Sequence, residues 1–211
     1  MNDSNLIQST PTQAQLLHFI INSGLDDNVK KNYGVCRDIK YKTHPKFLKP
    51  AICSKLKNFA RQKFETHIQE IDSVDNRPEW QVNIGTKTLK SLVEANTYNR
   101  LWEISRLSDL NYFMTPFIRR YNIKERREIG LHCDICARTI NINLSIAHKG
   151  NQLCTITKEN NTLLFTKHNF NLGDLMIHDD KVAHFLTPIE SGTRYSLIIF
   201  FQPKAVSNNV R

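Results

Sequence analysis

No stretch of this sequence approaches the roughly 20 consecutive apolar residues that a membrane-spanning helix needs. No internal repeat or low-complexity tract runs through it. A P-loop, a G-x-S-x-G elbow and a dinucleotide-binding glycine fingerprint are all missing, which leaves kinase, hydrolase and Rossmann readings without support. The first 24 residues have no basic start, no long apolar run and no small-residue cleavage site, and the cysteine count is an odd five. The expectation is a cytoplasmic chain with reduced thiols. Acidic residues are in the minority, 20 Asp and Glu against 29 Lys and Arg, for a net charge of +9. That surplus favours acidic partners such as nucleic acid, anionic peptides or anionic small substrates, and equally fits a generally basic soluble enzyme. No aromatic-rich basic run marks a nucleic-acid surface. Nothing in the sequence speaks to oligomeric state.

What is present, over 211 residues, suits one domain with a substantial core. Residues 1–108 read as a mainly helical support, 109–203 as a strand-rich core and 204–211 as a loose tail. Thr10-Pro11-Thr12 can start a helix carrying Leu16, Leu17, Phe19, Ile20 and Ile21. A possible strand lies around Cys36–Tyr41. A longer helix is predicted from about Pro50 to Ile71, because Leu48, Ile52, Leu56, Phe59, Ala60, Phe64, Ile68 and Ile71 recur at three- and four-residue steps. Leu89–Ala95 and Tyr98–Arg106 read as short helices, with Trp80 and Trp102 as core or core-rim anchors. From Tyr112 onward short strands follow at regular spacing. An α-rich start before many short strands implies an α+β chain, a jelly-roll barrel buttressed by helices.

The chemistry centres on His132-Cys133-Asp134. Placed on an extended strand, alternate side chains share a face, so the imidazole and the carboxylate point the same way. A histidine from a distant strand, His184, completes a two-histidine-one-carboxylate face of the kind that binds Fe(II) and leaves positions open for co-substrates and O₂. Arg194 follows in Gly192-Thr193-Arg194-Tyr195-Ser196. Alternation puts Arg194, Ser196 and Ile198 on one face and Tyr195, Leu197 and Ile199 on the other. An inward guanidinium needs an anion, and its planar fork suits a carboxylate, with the Ser196 hydroxyl as a further donor. Metal face and buried arginine together call for a chelating keto acid with a distal carboxylate, which is the shape of 2-oxoglutarate. The bland alternative for Arg194 is a salt-bridged strand arginine. In Thr139–Leu144 the polar residues Thr139, Asn141 and Asn143 alternate with apolar ones. That face lines a wet cavity or points to solvent.

Cys133 and Cys136 form a C-x-x-C, but no second ligand pair completes a zinc site and no βαβ context supports a redox pair. His178-Asp179-Asp180 repeats the H-x-D pattern too close to His184 for a separate strand. Asp179 and Asp180 then read as loop, and His178 as a support beside the metal ligands.

These residues resemble the prolyl and lysyl hydroxylase group of the 2-oxoglutarate/Fe(II) dioxygenases, which share H-x-D, a later His, and Arg ten residues on in a G-T-R-Y ending. Phe117-Ile118-Arg119-Arg120-Tyr121, the eleven-residue step from Tyr121 to His132, Thr139-Ile140-Asn141-Ile142 and Gly192–Tyr195 are most similar to the catalytic domain of procollagen lysyl hydroxylases. The similarity covers about residues 110–203. It implies a double-stranded β-helix, iron on His132, Asp134 and His184, and the co-substrate carboxylate on Arg194. Ser196, Tyr121, Thr139 and Asn141 are further candidates for the co-substrate pocket. The glycine cluster that usually precedes the middle strands of the family is reduced to Lys149-Gly150, which puts the 149–162 loop outside the family pattern. The expected activity is hydroxylation of an unactivated C–H, on a lysine- or proline-like side chain in a peptide or protein. The alternatives are a free amino acid or small metabolite as substrate, demethylation of nucleic acid, or a 2-oxoglutarate-binding sensor without turnover.

Overall fold

A computed structural model of the chain describes residues 41–66, 68–159, 162–180 and 182–204. The helix expected over residues 12–21, most of the strand expected near Cys36 and the tail from 205 lie outside the described residues.

Helix α1 (Pro50–Phe64) starts with proline in its first turn, where the missing N–H costs nothing, and turns Ile52, Cys53, Leu56, Ala60 and Phe64 into the core. Arg61 and Lys63 sit in its last turn, where they complement the helix dipole. The predicted extension to Ile71 is wrong: Ile68 is 88% exposed and Ile71 60%. A continued helix could not bring Asp72 to its partners. The Asp72 carboxylate lies 2.7 Å from Arg119 and 3.0 Å from Arg126, and these ion pairs hold the connecting loop against the strands. Helices α2 (Thr86–Val93) and α3 (Ala95–Ser105) form where short helices are expected, burying Leu89, Val93 and Leu101. Trp80 and Trp102 pack, partly buried, against the same core.

The strands are β1 (Tyr41–His44), β2 (Gln81–Asn83), β3 (Tyr112–Asn122), β4 (Ile129–His132), β5 (Arg138–Asn143), β6 (His148–Gly150), β7 (Leu153–Glu159), β8 (Thr162–Lys167), β9 (Leu175–Asp179), β10 (Ala183–Leu186) and β11 (Ile189–Pro203). They form two antiparallel sheets. One is seven-stranded, ordered β1-β9-β5-β11-β3-β2 with β6 paired to β11, and the other is β4-β10-β7-β8. From β3 onward the chain passes repeatedly between the sheets, which is jelly-roll connectivity. No ladder joins the two sheets among the described strands. The N-terminal half is less purely helical than expected, because β1 and β2 extend both edges of the larger sheet.

Strand alternation divides the larger sheet into two faces. Its outer face carries Ile118, Ile140, Ile142, Leu175, Ile177, Tyr195, Leu197 and Ile199, packed against the three helices in one continuous core. Its inner face turns toward the smaller sheet, where Tyr121 and Met176 pack with Ile129, Leu153 and Leu186. Gly173, before β9, has φ of +80°, and any Cβ there would strike the carbonyl of Leu48. That contact seats the start of α1 on the sheet, with the Leu48 N–H donating to the Gly173 carbonyl at 3.0 Å.

Candidate metal and co-substrate site

His132 ends β4 and lies directly across from His184 of β10, with ring centroids 4.3 Å apart. Asp134 lies past the end of β4, so strand alternation is not what aims it. The Thr139 hydroxyl donates to Asp134 Oδ2 at 2.6 Å and holds the carboxylate from the second residue of β5. One donor atom each from His132, Asp134 and His184 lies within 4.8 Å of the others. Nδ1 of His132 is 2.7 Å from the Gly130 carbonyl and Nδ1 of His184 is 2.9 Å from that of Val182. A carbonyl only accepts, so each Nδ1 carries a hydrogen, which leaves Nε2 as the ring atom free to face a metal. Burial pushes the His184 imidazole down to about 3, against the pull of Asp134, which keeps it in the neutral form a metal requires. At Asp134 burial acts upward, and the surrounding imidazoles of His184, His132 and His178 outweigh it, holding the carboxyl well below the usual carboxylate range. One carboxylate and two imidazoles converging on a single volume are a donor set that fits Fe(II).

Arg194 lies ten residues after His184 on the inner face of β11, 2% exposed. Its Nη1 donates to both the carbonyl and the side-chain oxygen of Asn151, at 2.8 and 3.0 Å. No carboxylate pairs with it among the described residues, and burial without a counter-anion pushes the guanidinium down to about 10, with the Tyr121 phenol acting the other way. Tyr121 is its register partner on β3, and Ser196 is that of Asn143 on β5. The Ser196 hydroxyl is buried without a hydrogen-bond partner. An unpaired buried cation beside a free hydroxyl fits a carboxylate, and the salt-bridged alternative for Arg194 finds no anion.

The polar face of β5 points inward. Thr139 and Asn143 are buried, and Asn141 lies half-buried between them. Cys133 packs beside Leu131, Ile156 and Ala183, while Cys136 Sγ is 3.2 Å from the Thr139 hydroxyl. Both thiols are unpaired, and burial pushes each up to about 12, which agrees with a wall rather than a redox or zinc role. Asp179 ends β9 and pairs with Arg138 at 3.1 Å.

Asn143, read from the sequence only as part of the polar face of β5, keeps a buried Oδ1 without a partner while its amide donates to the carbonyls of Phe170 and Asn171. One residue, Asn151, was missed from the sequence. Asn151 has φ of +52° and ties Arg194 to the Arg127 and Thr187 carbonyls. The sequence signal for it was Gly150-Asn151, two residue types that tolerate the left-handed conformation. A pocket of about 360 Å³ opens beside them, lined by Asn143, His148, Asn151, His168, Phe170 and Arg194 among others, and none of the three metal-site residues borders it.

No protein-family model matches the chain, and no curated protein matches it in sequence. Solved structures do match. A Trichoplax adhaerens prolyl hydroxylase in complex with a hypoxia inducible factor peptide fragment is 16% identical, with TM-score 0.58 over 92% of this chain and 94% of that one. A viral collagen prolyl hydroxylase from Paramecium Bursaria Chlorella virus-1, solved as its 2OG complex, is 17% identical, with TM-score 0.55 over 80% and 98%. A non-heme alpha ketoglutarate dependent carbocyclase from nogalamycin biosynthesis is 12% identical, with TM-score 0.60 over 78% and 80%. By its two sheets, their connectivity and these neighbours, the chain has the fold of the 2-oxoglutarate/Fe(II) oxygenases, with prolyl hydroxylases among its structural relatives.

Proposed function

We propose that this chain is an Fe(II)- and 2-oxoglutarate-dependent oxygenase that hydroxylates an unactivated C–H of an amino-acid side chain, lysine- or proline-like, in a peptide or protein. The observation that carries the reading is the pairing of the His132, Asp134 and His184 donor set with a buried guanidinium, Arg194, that has no anion of its own. Iron held there, with 2-oxoglutarate and O₂, would supply the oxidising chemistry that no side chain can. The chain's own part is placement. His132, Asp134 and His184 hold the metal, and Thr139 fixes the orientation of Asp134. Arg194 and Ser196 bind the distal carboxylate of 2-oxoglutarate, with Tyr121 and Asn141 lining the pocket beside them. The apolar side chains of Ile129, Leu153, Met176 and Leu186 keep water out of the same interior. In this reading residues 109–203 form a double-stranded β-helix in a single domain, buttressed by the N-terminal half.

A peptide substrate is supported by the prolyl hydroxylase neighbour solved with a peptide fragment. A small metabolite is the second reading, supported by the carbocyclase neighbour. Among the described residues Cys53, Cys133, Cys136 and Cys154 are free thiols, which suits a reducing, cytoplasmic setting.

The test is succinate release from 2-oxoglutarate in air after anaerobic loading with Fe(II), in the wild type and in His184→Ala. Succinate that disappears in the variant supports the reading. A wild type that neither releases succinate nor binds 2-oxoglutarate in a titration rejects it.

A further inference from the structure

We infer that the pocket beside Arg194 is a second entrance to the co-substrate site, a passage for small dicarboxylates by which 2-oxoglutarate arrives and succinate departs without crossing the metal face. The inference rests on the co-substrate site proposed above. The pocket, of about 360 Å³, runs from the surface to a buried floor. Its rim carries the exposed residues Ile146, Lys149, Asn169 and Glu190, and its floor includes Arg194 and Asn143, 2% and 3% exposed. Both floor residues are shared with the interior. Arg194 is the register partner of Tyr121 and Asn143 that of Ser196, and neither Tyr121 nor Ser196 borders the pocket. The pocket and the co-substrate site therefore meet at one wall, with the guanidinium in it.

This floor suits a polar occupant. Arg194 has no carboxylate partner among the described residues, and the side-chain oxygen of Asn143 has no hydrogen-bond partner. Two such groups under a dry pocket would be costly, whereas a wetted passage solvates them when no ligand is there. Charge also favours this side. 2-Oxoglutarate is a dianion, and through the pocket its keto-acid end leads past Lys149 and then Arg194. The distal carboxylate follows and stops at Arg194, so the molecule arrives without turning. Glu190 is the one carboxylate of the lining, and it is exposed, where water and salt screen it. From the metal side the distal carboxylate must lead, past the buried Asp134. Asp134 alone repels that end, and a cation bound there captures it, so either state delays delivery. Backbone packing sets Lys149 at the rim: the next residue, Gly150, has φ of +73° and lies so close to the Pro188 carbonyl that a Cβ would strike it.

The experiment mixes the anaerobic, Fe(II)-loaded full chain with 2-oxoglutarate in a stopped-flow spectrometer and follows the absorption of the chelated keto acid. Equilibrium titration of the same band gives Kd, and the two together give the release rate. Ile146→Trp and Asn169→Trp add bulk at exposed rim positions, away from the core. A barrier common to entry and exit slows both and cancels in Kd. Association is expected to slow at least about fivefold in both variants, with Kd within about twofold of the wild type. Lys149→Glu should slow association most at low ionic strength, and Lys55→Glu on α1, with the same change in net charge, should not. Association unchanged in both tryptophan variants overturns the inference. So does slower association matched by an equal rise in Kd, since a plugged passage must slow release as well. A wild type that gives no such band would instead reject the co-substrate site on which the inference rests.

Discussion

Arg194 donates to Asn151, which accepts from one guanidinium nitrogen through both its backbone carbonyl at 2.8 Å and its side chain at 3.0 Å. The neutral amide orients the cation and leaves its charge uncancelled. Asn151→Asp would place a carboxylate against the guanidinium and cancel it. The expected outcome is a folded protein whose 2-oxoglutarate affinity falls at least about tenfold, since a hydrogen bond to a charged group is worth roughly 1.5–3 kcal/mol. Isothermal titration with metal-loaded protein measures it. Undiminished affinity would show that Arg194 does not hold the co-substrate.

Arg194→Lys tests the fork separately from the charge. Lysine keeps a cation but offers no planar pair of donors, and it leaves the two Asn151 oxygens underbonded. The apparent KM for 2-oxoglutarate is expected to rise about 10-fold or more while metal content is unchanged. Steady-state kinetics beside metal analysis separates the two effects.

Thr139→Val removes one hydroxyl at nearly constant volume. Asp134 Oδ2 then loses its 2.6 Å bond, and the carboxylate is freer to turn away from the metal. Metal affinity should fall about 10–100-fold, the usual range for a residue that orients a ligand. A chelator competition assay reports this, and a melting curve checks that the fold survives.

His168 provides a pH signature of the metal-free fold. Its Nε2 is 2.8 Å from the Thr155 hydroxyl, and burial, with His178 adding to it, pushes the imidazole down to about 4. Unfolded, it titrates near the ordinary value of about 6.5. Between those values the unfolded chain binds the additional proton, so this contribution is complete above about 6.5 and is lost as pH falls toward 4. His184 acts in the same direction. Urea unfolding from pH 7 to 4.5 should therefore lose stability steadily, and His168→Leu should flatten that slope by up to about 1.4 kcal/mol per pH unit. An unchanged slope would place the His168 proton elsewhere.

Much of the site was legible along the chain because its signals are local. The pairing of His132 with Asp134, the later His184 and the ten-residue step to Arg194 are spacings. The sorting of Arg194 and Ser196 from Tyr195 and Leu197 follows from the two-residue period of any strand, and the structure puts the second pair in the outer core. The α1 stripe was equally legible as far as Phe64.

What the sequence by itself determined, then, is residue type, spacing and face, since these depend only on backbone geometry over a few residues. Tertiary structure decided everything that needs a partner remote in sequence. It ended α1 at Phe64, because Asp72 is drawn to Arg119 and Arg126 and leaves Ile68 and Ile71 in solvent. It aimed Asp134 from beyond the end of its strand through Thr139, and it gave Arg194 an amide instead of an anion. The energy between a buried charge and its counter-charge depends on their separation and on the medium around them, and neither is written in the order of the residues.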